Sequence, residues 1–117
     1  MDLQRVKINP KNLKSFKPEK EKKTKKIDSK INFIISQLKK SKKPVIILGG
    51  GVKYAKAEKK LQTFVRNLEI PIVTTWSGVD LIDHSDKKYI GNIGVYGSRA
   101  ANFTIQNSDL FLSLGTR

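Results

Sequence analysis

Three short apolar stretches, residues 45–48, 70–73 and 110–114, each run straight into a turn of small or polar residues. The turns are Gly49-Gly50-Gly51, Thr74-Thr75 and Gly115-Thr116-Arg117. Helical patterns lie between the stretches. Strand–turn–helix alternation implies a parallel sheet, because parallel neighbours need a crossover and the crossover is usually a helix. The expected class is therefore α/β, a parallel sheet with flanking helices. In open sheets of this kind ligands gather at the carboxyl ends of the strands, the edge that these turns would share.

The intervening pattern supports that architecture. Asp28 or Ser29 can cap a helix running to about residue 41, with Ile27, Ile31, Ile34, Ile35 and Leu38 as its apolar stripe. Pro44 blocks continuation and opens the first strand. A second helix is expected over 55–67, burying Ala57, Leu61, Phe64, Val65 and Leu68. Residues 76–97 are mixed, with room for a brief strand near 89–90. Ser98 can cap a short helix over 99–107, whose small Ala100 and Ala101 allow it to lie close to the sheet. The strand at 110–114 would leave an apolar edge open, so the chain reads as a piece of a larger sheet.

Charge is distributed unevenly. Residues 1–60 carry 19 of the 24 Lys and Arg but only 5 of the 10 acids, and the remainder is balanced. A basic segment invites nucleic acid or an anionic membrane. Single-strand binders interleave aromatics with their charges, yet between Arg5 and Lys43 only Phe16 and Phe33 are aromatic. Residues 11–26 have too little apolar content to offset their ordering entropy. They read as an exposed lysine-rich linker, with nucleic acid and membrane partners not expected. Cysteine is absent, which excludes disulfides and thiolate metal sites. No apolar run is long enough for a membrane span and the N-terminus lacks a secretion core, so the cytoplasm is the expected compartment.

Few residues suggest chemistry. Gly49-Gly50-Gly51 can bring backbone N–H groups against a phosphate, or can serve as a tight turn; both readings stand. The dinucleotide fingerprint would need glycine at 54 and an acid after the second strand, where Tyr54 and Thr74-Thr75-Trp76 stand. His84, the single histidine, has no partner at ligand or triad spacing and reads as a solvated loop residue, while Trp76 reads as a packing anchor. No catalytic residue and no metal ligand is expected within the chain.

Several ordered motifs resemble one family. Residues 44–52 (Pro-Val-Ile-Ile-Leu-Gly-Gly-Gly-Val) and 70–78 resemble the first two strands and loops of the central domain of thiamine diphosphate-dependent enzymes. Residues 94–103 and 106–117 are similar to acetolactate synthase in particular. The resemblance covers 27–117, a partial Rossmann-like central domain, with 1–26 as the end of a preceding domain and a basic linker. It implies that the first and fourth strands adjoin at the topological switch point.

Further expectations follow from the resemblance alone. The complete enzyme would decarboxylate and ligate 2-oxo acids, as in branched-chain amino acid biosynthesis. Thiamine pyrophosphate and Mg2+ would be bound by the other domains of the same enzyme, which would assemble as a homo-oligomer. The central domain of acetolactate synthase-like members holds FAD. The implied contacts are Gly49, Gly50, Gly51, Thr74, Thr75, Gly94, Val95, Tyr96, Gly97, Gly115, Thr116 and Arg117. Tyr96 departs from the histidine common in acetolactate synthases. Two other readings remain: a stand-alone module for FAD- or ADP-type nucleotides without catalysis, and an RNA-associated protein using the basic front half.

Overall fold

Four parallel strands form one sheet in the order β3-β2-β1-β4. They are β1 (Pro44–Leu48), β2 (Ile72–Thr74), β3 (Tyr89–Asn92) and β4 (Leu110–Leu114). The computed structural model describes residues 6–18 and 27–116. Residues 19–26 of the expected linker, and the contact expected at Arg117, lie outside the described residues.

The chain doubles back across β1. It moves one way through β2 to β3, then returns to place β4 on the far side of β1, with Ile46 in register with both Ile72 and Leu112. That reversal is the topological switch point of an open α/β sheet. β1 is buried on both faces, which accounts for its unbroken Val-Ile-Ile-Leu sequence. On one face Ile46, Leu48 and Ile72 pack with Val52, Leu61 and Val65; on the other Val45 and Val73 meet Ala101.

One helix, α1 (Ile27–Lys40), precedes β1; α2 (Gly51–Tyr54) and α3 (Glu58–Arg66) lead from β1 to β2, and α4 (Arg99–Gln106) from β3 to β4. The segment expected as one helix over 55–67 instead opens on the turn that terminates α2 and then holds the whole of α3. Lys56 adopts φ +51°, and the Lys56 and Ala57 amides donate to the carbonyls of Lys53 and Val52. This is a Schellman ending with lysine where glycine is usual, so the sequence carries no stop signal. Of the stripe expected there, Leu61 and Val65 are buried and Phe64 is exposed. Ser98 caps α4 as expected, its hydroxyl accepting from the Ala101 amide at 3.0 Å. Ala101 is fully buried against the sheet. Between β2 and β3 a 3-10 helix, Trp76–Leu81, replaces irregular chain.

Two packing expectations are overturned. None of α1 is buried; Ile27, Ile31, Ile34 and Ile35 are exposed, because β4 is an edge strand and, among the described residues, no further strand underlies that helix. Trp76 anchors no core: it is 73% exposed at the carboxyl end of β2, edge-on to the exposed ring of Tyr96.

Asp109 joins the start of β4 to the start of β1. Its carboxylate accepts from the Ser41 hydroxyl and from the Lys42 and Lys43 amides, at 2.8 and 3.0 Å for the amides. Those bonds, the Ser41 hydroxyl first, hold its carboxyl below the ordinary carboxylate range. With the folded pKa depressed, the stabilisation is complete above the unfolded value and is lost as pH falls through the folded one. Asp109→Asn is therefore expected to lower the melting temperature at neutral pH and to flatten its decline below about pH 4. Thermal melts of both proteins across that range check this, and coincident curves would refute it.

Candidate functional site

The turns after β1, β2 and β4 converge at one edge of the sheet. The Gly49 amide donates to the Leu114 carbonyl (2.9 Å), the Gly51 amide to the Gly115 carbonyl (2.8 Å) and the Thr75 amide to the Leu48 carbonyl (2.8 Å). Gly115 itself adopts φ +66°, a conformation that favours glycine. A Cβ on Gly49 would stand 2.4 Å from the Gly115 carbonyl oxygen, and one on Gly78 would stand 2.6 Å from the Leu48 carbonyl oxygen. These glycines let three strand-end turns touch backbone to backbone.

Above the contact lies a crevice of about 530 Å³, within the size range of small-molecule sites. Gly50, Gly51, Thr75, Gly115 and Thr116 line it, together with Tyr54 and Ser77. The first five belong to the contacts that the family resemblance implies; Tyr54 and Ser77 do not. Ser77 lies two residues beyond Thr75, and its hydroxyl accepts from the Gly50 amide at 3.3 Å. In the sequence Tyr54 stands out only for occupying a position where the dinucleotide fingerprint requires glycine. Its ring is nonetheless 90% exposed at the crevice.

The other implied contacts among the described residues sit elsewhere. Gly49 is buried beneath the crevice. Thr74 is fully buried, its hydroxyl 3.3 Å from the Tyr89 hydroxyl. Gly94, Val95, Tyr96 and Gly97 follow β3, two strands away from β1, and do not line the crevice. That loop is held by Asn102, which accepts from the Gly94 amide and donates to its carbonyl, both at 3.0 Å. Val95 and Tyr96 project from it almost fully exposed.

The polar groups at the crevice are hydroxyls, with no Lys, Arg, Asp or Glu along its lining among the described residues. Nearby Lys53 is paired with Asp80 at 2.7 Å, an exposed contact of small energetic value. The Asp80 carboxyl is held below its ordinary range chiefly by that hydrogen bond. His84 is exposed and stacks against Tyr89, with ring centroids 4.9 Å apart. Among the described residues no group of three or more His, Cys, Asp or Glu is placed to hold a metal ion. Nor is any helix among them long and apolar enough to cross a membrane.

FAD, the group that the acetolactate synthase resemblance implies, fits this edge only in part. The hydroxyls of Thr75 and Ser77 suit its sugar-alcohol or ribose portions, whereas that of Thr116 is already paired with the Ser113 hydroxyl. Its pyrophosphate would need free N–H donors, and those of the glycine turn are already engaged.

A doubly wound parallel sheet with converging strand-end turns at its switch point defines an open α/β domain, the class in which ligands gather at that edge. The comparison with known families makes that class specific. Residues 31–117 match the family described as "Thiamine pyrophosphate enzyme, central domain", and the chain belongs to that family. Among curated proteins it is 38% identical over 80 residues to 3D-(3,5/4)-trihydroxycyclohexane-1,2-dione hydrolase of Halalkalibacterium halodurans, covering 68% of this chain. It is 41% identical over 83 residues to the hydrolases of the same name from Bacillus thuringiensis and Bacillus anthracis, covering 71% of the chain. The chain spans about 13% of the length of these relatives.

Proposed function

We propose that this chain is the cofactor-scaffold part of a thiamine pyrophosphate-dependent enzyme whose substrate carries two adjacent carbonyl groups. The carrying observation is the family match over 31–117 together with the switch-point crevice where the β1, β2 and β4 turns meet. The substrate class rests on two likenesses. The 2-oxo acids implied by the acetolactate synthase motifs and the 1,2-dione named for the hydrolase relatives share vicinal carbonyls. Identity to the hydrolases favours the cyclic dione over pyruvate-type acids as the first substrate to test.

In this reading the chemistry of thiamine pyrophosphate, with Mg2+, belongs to other domains of the same enzyme, assembled as a homo-oligomer. The residues described here hold the domain together and bind a nucleotide-like group, FAD or ADP in type, at the crevice. Thiamine pyrophosphate would supply the electron sink, and the protein its binding and orientation.

The full-length product of the gene that encodes this chain tests the reading. It is expected to consume the 1,2-dione or a 2-oxo acid only when thiamine pyrophosphate and Mg2+ are supplied. A purified full-length enzyme that turns over neither class with both present would overturn it. Heat-released cofactor, read by absorbance and chromatography, reports separately whether a flavin or adenine nucleotide is carried.

A further inference from the structure

The glycine turn after β1 has the look of a phosphate cradle in the sequence, and its hydrogen bonds contradict that use. The Gly49 amide is held by the Leu114 carbonyl and the Gly51 amide by the Gly115 carbonyl. The Val52 and Lys53 amides close the helical turn onto the carbonyls of Gly49 and Gly50, at 3.2 and 3.0 Å. The Gly50 amide faces the Ser77 hydroxyl. Four of these five consecutive donors are thus spent inside the protein, and the fifth, on Gly50, makes a long contact. An anion withdrawn from water needs several charge-assisted donors to replace its hydration, and the turn has at most one to offer.

What the crevice does offer is different. Hydroxyls both donate and accept, so they match the hydroxyls of a sugar better than a group that only accepts. Thr75 and Ser77 hydroxyls lie 3.4 Å apart, a long mutual contact for which a ligand hydroxyl can compete. The Tyr54 ring supplies an exposed aromatic wall beside them.

We infer that the crevice takes the uncharged, polyhydroxylated portion of its ligand, ribose or a ribityl chain, and that phosphate groups lie outside the 49–53 turn. This rests on the nucleotide-holding reading above and narrows it. The site then selects a nucleoside-like body and leaves phosphate recognition to residues beyond the turn.

Amide chemical shifts of the 15N-labelled protein separate the alternatives. Adenosine, the ribose probe, or riboflavin, the ribityl probe, is expected to move the Tyr54, Thr75 and Ser77 amides, and whichever acts identifies the source of the hydroxyls. Inorganic pyrophosphate at the same concentration is expected to leave Gly49, Gly50, Gly51 and Val52 unmoved. Ser77→Ala is expected to weaken the active probe by about five- to tenfold, the range for one lost hydrogen bond. Pyrophosphate shifts at Gly49–Val52, or an ineffective Ser77→Ala, would overturn the inference. So would silence of the crevice toward both probes. In that last case a full-length enzyme that still releases a flavin or nucleotide on heating preserves the wider reading, whereas one carrying neither removes the cofactor from both.

Discussion

Gly49→Ala is expected to destabilise the protein by about 3 kcal/mol, the upper end of the usual overpacking cost. The added methyl would stand 2.4 Å from the Gly115 carbonyl oxygen and 2.8 Å from both the Gly115 carbonyl carbon and the Thr116 Cα. All three obstacles are backbone, so no side chain can rotate out of the way. Relief requires the β1 and β4 turns to part, which breaks the bonds from the Gly49 and Gly51 amides to the Leu114 and Gly115 carbonyls. The crevice would open with them. Urea unfolding of wild type and variant measures the loss through the midpoint at constant slope. An unchanged midpoint would show that the β1 and β4 turns are not in backbone contact.

Ile46→Ala should cost about 2–5 kcal/mol through a different mechanism, a cavity in the middle of the sheet. Ile46 is fully buried and sits in register with Ile72 on one side and Leu112 on the other. Its side chain belongs to the larger of the two cores, with Leu48, Val52, Leu61 and Val65. Neighbouring strands hydrogen-bonded on both sides limit collapse into the space, which favours the higher part of that range. Phe111→Ala on β4 provides the contrast: this ring is about half exposed on an edge strand, so its loss should be much smaller. Equal midpoint shifts for the two variants would show that β1 does not occupy the centre of the fold.

Much of this architecture was legible from local pattern. The span of β4 is as expected, β1 gains only Pro44, and α4 begins after its serine cap, because continuous apolar runs and caps are signals carried by adjacent residues. β2 begins at Ile72 instead of residue 70, with Pro71 contributing only its carbonyl, to the Ile46 amide. The end of α2 was illegible for a definite reason: a lysine occupies the left-handed position where the signal would be glycine. The exposed stripe of α1 misled in the opposite sense. Its period is helical and its residues apolar, but whether a stripe is covered depends on which strand lies next to it.

The candidate edge divides along the same line. Which turns contain glycines and hydroxyls is written in the chain, as is the family to which residues 31–117 belong. Sequence alone determined the alternation of strands and helices, since apolar period and turn chemistry act between neighbours along the chain. The tertiary structure alone decided that Ser77 and Tyr54 join the crevice and that the Gly49 and Gly51 amides are spent within the protein. Those outcomes depend on residues brought together across β1, β2 and β4, and a hydrogen-bond donor's availability is settled by its neighbours in space.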